Sequence, residues 1–215
     1  MSSRVSESLV LRTYPYKEAD LIVSFFTRDM GKLRAIARRA KRPKSHYGAT
    51  LDRLCHVRMA YFQKDGRELA SIDGAELIES QFDLIAGPSA FENSVVLDYL
   101  SEVSELLLPP HEPSEKFFRL LIAMLAELRA GGSVWKVVLY FSLWCARLQG
   151  FLPDPVVCED SRALAMEMLA TPIANIEPRD WTRNTAADLR RFLVQQIEEQ
   201  VERRLTTLRH LEQLS

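Results

Sequence analysis

The chain has 215 residues, 47% of them hydrophobic, and 28 basic against 29 acidic side chains for a net charge of −1. Such a composition excludes a disordered chain and fills an ordinary core, in one large or two small domains. The charge is unevenly divided: residues 1 to 80 carry 15 basic and 10 acidic side chains for +5, and the remainder 13 and 19 for −6, which suggests two domains.

The N-terminus, MSSRVSESLVLR, lacks the unbroken apolar core and cleavage site of a secretory signal. Val134 to Leu148 is too short and too charged to span a membrane, so the expectation is a soluble, cytoplasmic protein. Three widely spaced cysteines, Cys55, Cys145 and Cys158, indicate neither a disulfide framework nor a closed zinc site.

In chain order, the first eighty residues read as strands. Ser8 to Tyr14 is rich in β-formers, and LIVSFFT (Leu21 to Thr27) is a nearly continuous apolar run, as in a strand covered on both faces. A turn at Asp29 to Gly31 leads to a third strand, Lys32 to Arg38. There the two-residue period sends Lys32, Arg34 and Arg38 to one face and Leu33, Ala35 and Ala37 to the other, with Ile36 among the charges. The fourth, Leu54 to Gln63, places Cys55, Val57, Met59 and Tyr61 on one side. A turn at Lys64 to Arg67 leads to the fifth, Glu68 to Glu79. Five short strands suggest a small barrel of the oligonucleotide-binding type.

From Arg28 to Arg58 there are ten Lys or Arg against Asp29 and Asp52, a local charge of +8. Arg39, Lys41, Arg42 and Lys44 crowd around Pro43, with Tyr47 at the far end. A solvated basic loop is the bland reading of any such run. Its position on and after a strand, with a ring beside it, instead suits cations that track a phosphate backbone and an aromatic face on which bases stack.

After Phe82 the spacing becomes helical. Val96, Tyr99, Val103 and Leu107 give Phe91 to Leu108 one apolar stripe, and Pro109-Pro110 ends it. Pro113-Ser114-Glu115 opens a second helix that Gly131-Gly132 closes. The third, Val134 to Gln149, is apolar nearly all round and should be central. A short helix near Ser161 to Ala170 follows. A long one from Thr185 to about Leu214 is expected on the stripe Leu189, Leu193, Ile197, Val201, Leu205 and Leu208. The boundaries read from this pattern are a barrel over 1–82 and helices over 83–215.

No nucleophile elbow, phosphate-cradling glycine loop, HExxH or dinucleotide fingerprint occurs. The four histidines are scattered. Glu159-Asp160 suits a helix start better than a metal, and neither Cys145 nor Cys158 has a neighbouring His. A binding protein without cofactor or metal is expected, not an enzyme.

The segment LVLRTYPYKEADLIVSFFTRDMGKLRAIARRAKRPKSHYGATL, Leu9 to Leu51, resembles the RecO family of bacterial recombinational repair proteins. The likeness rests on the LR strand, the Glu18-x-Asp20 pair, Gly31-Lys32 in a turn and the run from Ala37 to Ser45. Weaker matches are Ala75 to Glu79, the apolar helix leading to Gly150 with Pro153-Asp154 beyond, and the C-terminal helix. The resemblance implies an α+β protein, with an oligonucleotide-binding barrel followed by a helical domain. It implies binding to single- and double-stranded DNA, annealing of complementary strands, and action with RecR to load RecA onto strands coated by single-stranded-DNA-binding protein. The tail of that coating protein is implied as a further partner, with Lys116, Arg119, Arg129 and Lys136 near its expected seat. The matching motif gives Lys32, Arg34, Arg38, Arg39, Lys41, Arg42 and Lys44 as DNA contacts; Arg58 and Arg67, outside it, are looser candidates. Many members carry a four-cysteine zinc subdomain; here Cys158 stands at its first ligand and Ser161 at its second, so the subdomain is expected to be reduced or absent. A different reading keeps the basic barrel but makes it an RNA-binding translation or ribosome accessory.

Overall fold

The computed structural model describes residues 3–63 and 69–214. The expected turn at Lys64 to Arg67, the start of the fifth strand at Glu68 and the candidate Arg67 lie outside the described residues. Two compact units emerge. One comprises the chain up to Ala86 together with Ser104–Phe118, and the other Gly87–Val103 with the chain from Arg119 onward.

The first unit is a closed barrel of five strands: β1 (Arg4–Tyr16), β2 (Asp20–Thr27), β3 (Gly31–Ala37), β4 (His56–Phe62) and β5 (Ala70–Glu79). Their order, β1-β2-β3-β5-β4 with β4 returning to β1, is that of an oligonucleotide-binding barrel. Four contacts are antiparallel, and the barrel closes through a short parallel pairing of β3 with β5 at Ala35–Ala70 and Ile36–Ser71.

Alternation fills the interior. Val10, Val23, Phe25, Leu33, Ala35, Ala37, Val57, Met59, Tyr61 and Ile72 form one cluster, with Phe25 edge-on to Tyr61 at 5.5 Å. The inward residues of β3 and β4 are those the two-residue period selects.

The outer face of β2 and β3 is covered as well, which accounts for the unbroken apolar run in β2. Phe26 meets Phe117 and Phe118 at 6.0 and 5.8 Å. Gly31 adopts a left-handed φ of 74°. A Cβ there would come within 2.4 Å of the Glu112 backbone, so glycine lets the 110–112 segment lie against the strand. His111 N–H then donates to the Lys32 carbonyl at 3.0 Å.

The helices are α1 (Phe82–Ala86), α2 (Ala90–Leu107), α3 (Glu115–Arg129), α4 (Val134–Leu148), α5 (Glu159–Ala170), α6 (Ala187–Gln200) and α7 (Leu208–Leu211). The last turn of α2 and the first of α3 belong to the barrel unit. In the second unit α4 is central, with eleven of its fifteen residues buried, and it packs against α5 and α6. Tyr99 of α2 stands edge-on to Phe141 and shares a hydrogen bond with Ser142 Oγ at 2.8 Å.

The expected single helix from Thr185 to about Leu214 is broken. Helix α6 stops at Gln200, Glu202 takes a left-handed φ of 53°, and α7 starts only at Leu208. Two buried carboxylates hold the break. Glu198 accepts from Leu205 N–H at 2.9 Å and Arg204 at 2.6 Å. Glu102 accepts from the N–H and hydroxyl of both Thr206 and Thr207, at 2.6 to 2.9 Å. Burial works against ionising Glu102, but these four bonds outweigh it and hold its carboxyl below the usual range.

Candidate nucleic-acid interface

The predicted cations separate into two groups. Arg38, Arg39, Lys41, Arg42 and Lys44 are all exposed on the segment after β3, and none joins an ion pair among the described residues. This segment is not open coil. Successive turns close as Arg42 N–H donates to Arg39 O, Ser45 N–H to Arg42 O and Gly48 N–H to Ser45 O, at 3.0 to 3.2 Å. Arg39 and Lys44 take left-handed φ values of 56° and 61°. The loop is tied to the β1–β2 turn, since Lys41 N–H donates to Ala19 O at 3.0 Å and Arg39 N–H to Asp20 Oδ1 at 2.8 Å.

Lys32 and Arg34 lie elsewhere. Lys32 is only 8% exposed and its ammonium donates to the Glu105 carbonyl at 2.5 Å. Burial lowers its pKa, Glu105 opposes the shift and Arg34 adds to it. Its head group is therefore held inside the barrel unit instead of facing a phosphate. The outward face of β3 is not solvent at this position, because Ser104–Phe118 covers it. Arg34 pairs with the buried Glu105 carboxylate at 2.8 Å while its side chain stays 54% exposed, so it remains accessible without being one of the unpaired cations. Ser24 Oγ and Tyr14 Oη donate to the same carboxylate at 2.5 and 3.3 Å. Arg58, on β4, lies 3.6 Å from Glu76.

Tyr47 does not offer the stacking face expected of it. It is buried in the barrel cluster and its hydroxyl donates to Ile72 O at 3.1 Å. The exposed ring there is His46, 3.9 Å from Tyr47 between centroids. Other aromatic–cation contacts went unforeseen. Arg12 and Arg34 both lie near the Tyr14 ring, at 5.5 and 5.8 Å, and Lys17 lies 5.3 Å from Tyr16. Their signal was the two-residue spacing of Arg12, Tyr14 and Tyr16 on β1, which places them on one face.

In the helical unit the expected cation Lys136 is closed by Glu127 at 2.7 Å, and Trp135, Tyr140 and Phe141 are core residues. An open groove of about 1360 Å³ beside Trp135 is lined by both signs of charge, by Arg183, Arg190 and Arg191 and by Glu198, Glu199, Glu202 and Glu212. Arg190 stacks on Trp135 at 4.6 Å.

Zinc does not fit the residues around Cys158. Asp188 accepts from Cys158 N–H at 2.8 Å and from Ser161 Oγ at 2.5 Å, and the Cys158 thiol lies 3.3 Å from Ser161 Oγ. One thiol, one hydroxyl and one carboxylate already bonded to each other are not a tetrahedral thiolate set. Burial opposes ionisation of Asp188, yet these bonds hold its carboxyl far below the usual range. Among the described residues no three His, Cys, Asp or Glu side chains gather to hold a metal, and no helix is long and apolar enough to cross a membrane.

Residues 1–81 match the family model for the N-terminal part of recombination protein O, and residues 88–163 the model for its C-terminal part. The DNA repair protein RecO of Koribacter versatilis is 35% identical over an alignment covering 97% of this chain and 98% of that protein. The alignment is 243 residues long, so that relative has segments this chain lacks. RecO of Syntrophus aciditrophicus is 27% identical across 71% of this chain and 58% of its own length. RecO of Bifidobacterium animalis subsp. lactis is 38% identical across 57% and 50%. With both family models on one chain and near-complete coverage of a relative above 30% identity, the barrel and its helices belong to a member of the RecO family of DNA repair proteins.

Proposed function

We propose that the protein binds single- and double-stranded DNA through the loop carrying Arg38, Arg39, Lys41, Arg42 and Lys44, with Arg34 of β3 as a further contact, and anneals complementary strands. Acting with RecR, it would then help load RecA onto strands coated by single-stranded-DNA-binding protein. The observation that carries this reading is the loop itself: five exposed cations without acid partners among the described residues, on a backbone already folded against an oligonucleotide-binding barrel. Cations that lack protein partners and stand on a fixed backbone suit phosphate contacts, which position a strand without reading its sequence. Lys32 is left out of the proposed contact set because its ammonium is buried on Glu105.

The tail of the coating protein is the further proposed partner. Since Lys136 is already paired, the arginines beside Trp135, Arg183, Arg190 and Arg191, are the proposed seat for the tail's carboxylates, in a groove that glutamates also line. Titrating a labelled tail peptide into the whole chain tests this, and no saturable binding at low salt would sink it.

The deciding experiment for the function is annealing of complementary strands coated by single-stranded-DNA-binding protein. Acceleration of duplex formation by the protein, lost when the five loop cations are removed, is the expected result. A protein that binds RNA tightly and leaves coated DNA strands apart would instead be an RNA accessory.

A further inference from the structure

Asp20 presents a conflict of sign. It is an acid at the foot of the most basic segment of the chain, where a carboxylate repels any phosphate that the loop attracts. Its Oδ1 accepts the Arg39 N–H at 2.8 Å, and the neighbouring Ala19 carbonyl accepts the Lys41 N–H at 3.0 Å. Adjacent residues of the β1–β2 turn thus hold two backbone positions two apart, with the five cations on and around them. The Arg39 bond also secures a left-handed residue at φ 56°, a conformation disfavoured for a side chain of that type. Released from these two bonds, the segment would have to be ordered on meeting DNA, and that ordering would weaken binding.

We infer that Asp20 is a positioning residue for DNA: its carboxylate fixes the basic loop in its binding conformation, and this contribution outweighs its repulsion of phosphate. The inference rests on the loop being the DNA surface. Simple charge addition makes the opposite prediction, because deleting an acid beside a phosphate site should tighten binding whichever residue replaces it.

The test compares D20N and D20A in the full chain, by titrating a fluorescent single-stranded oligonucleotide at several salt concentrations. Asparagine keeps an acceptor for Arg39 N–H and removes the charge, so D20N should bind at least as tightly as wild type. Alanine removes both, and D20A should bind more weakly than wild type and about fivefold more weakly than D20N, the scale of one lost hydrogen bond to a neutral acceptor. Both should keep the wild-type salt slope, because every loop cation remains. D20A binding as tightly as D20N, or as tightly as wild type, would overturn the inference. Amide exchange in the wild-type chain supplies a readout independent of any variant's folding: Arg39 and Lys41 N–H should be protected, and exchange at free-chain rates would equally overturn it. The five-cation alanine variant separates the two levels. If it binds like wild type, the loop is not the DNA surface and the inference falls with that reading; if it loses binding while D20A matches D20N, only the role of Asp20 fails.

Discussion

Replacing Arg38, Arg39, Lys41, Arg42 and Lys44 together by alanine removes five cations that are exposed and unpaired among the described residues. Each phosphate contact on a single strand contributes about 0.7 to the slope of log affinity against log salt, so the variant's slope should be flatter by about 3.5. Between about 50 and 200 mM salt, wild type should therefore lose roughly a hundredfold more affinity than the variant. Folding should be barely touched. The backbone bonds of Arg39 and Lys41 to Asp20 and Ala19 survive the change, and exposed substitutions away from any partner typically stay within about 0.5 kcal/mol. The assay is fluorescence anisotropy on a labelled oligonucleotide across a salt series, with urea unfolding as control. A variant that unfolds like wild type and keeps the wild-type slope would show that these charges face only water.

Lys32→Met should leave that salt slope unchanged, because the ammonium it removes lies on Glu105; a slope flatter by about 0.7 would return Lys32 to the contact set. Glu102→Ala should cost about 3 kcal/mol at neutral pH in urea unfolding, since four donors on Thr206 and Thr207 lose a buried charged acceptor. Because the Glu102 carboxyl is held down in the folded chain, it stabilises above its unfolded value of about 4.3 and ceases to as pH falls through the folded one; the stability gap between wild type and E102Q should narrow in acid. Gly31→Ala should lower the melting temperature markedly, as its Cβ meets the Glu112 backbone; a near-normal melt would mean that the 110–112 segment yields easily. Chelators should leave the melting temperature of the wild type unchanged, and zinc should not restore stability to Asp188→Ala; about one zinc per chain by elemental analysis would refute both.

The strands were legible because each has a face that must be buried, and a two-residue period reports it directly: Cys55, Val57, Met59 and Tyr61 all enter the barrel cluster. The cations after β3 were legible for the same reason, as crowded like charges have nowhere to go but outward. Lys32 was not. Alternation sends it out of the barrel, and nothing near it in sequence says that residues 104–118 lie over that side. Tyr47 was misjudged in the same sense, because neighbouring charges suggested exposure while its ring joins the barrel interior. The break after Gln200 was hidden by Val201, Leu205 and Leu208, which continue at helical spacing across it. The break is held by Glu198 and by Glu102, and the second lies about a hundred positions away, where no local propensity carries that information. Asp20 was visible only as part of a motif; its reach to Arg39, nineteen residues on, is a tertiary fact.

The discontinuity of the barrel unit has a consequence during synthesis. All five strands are free to pair once Glu79 has emerged from the ribosome, yet Phe117 and Phe118 emerge nearly forty residues later. At about 5–20 residues per second, that interval lasts roughly two to eight seconds. Until Phe117 and Phe118 follow, the nascent barrel presents Phe26 bare, and until Glu105 follows it presents Lys32 without its carbonyl partner, on the same sheet face. A ribosome stalled after β5 has emerged, but before residue 118 has, therefore displays a sticky, half-clad sheet, and a gene truncated at the end of β5 encodes that species permanently.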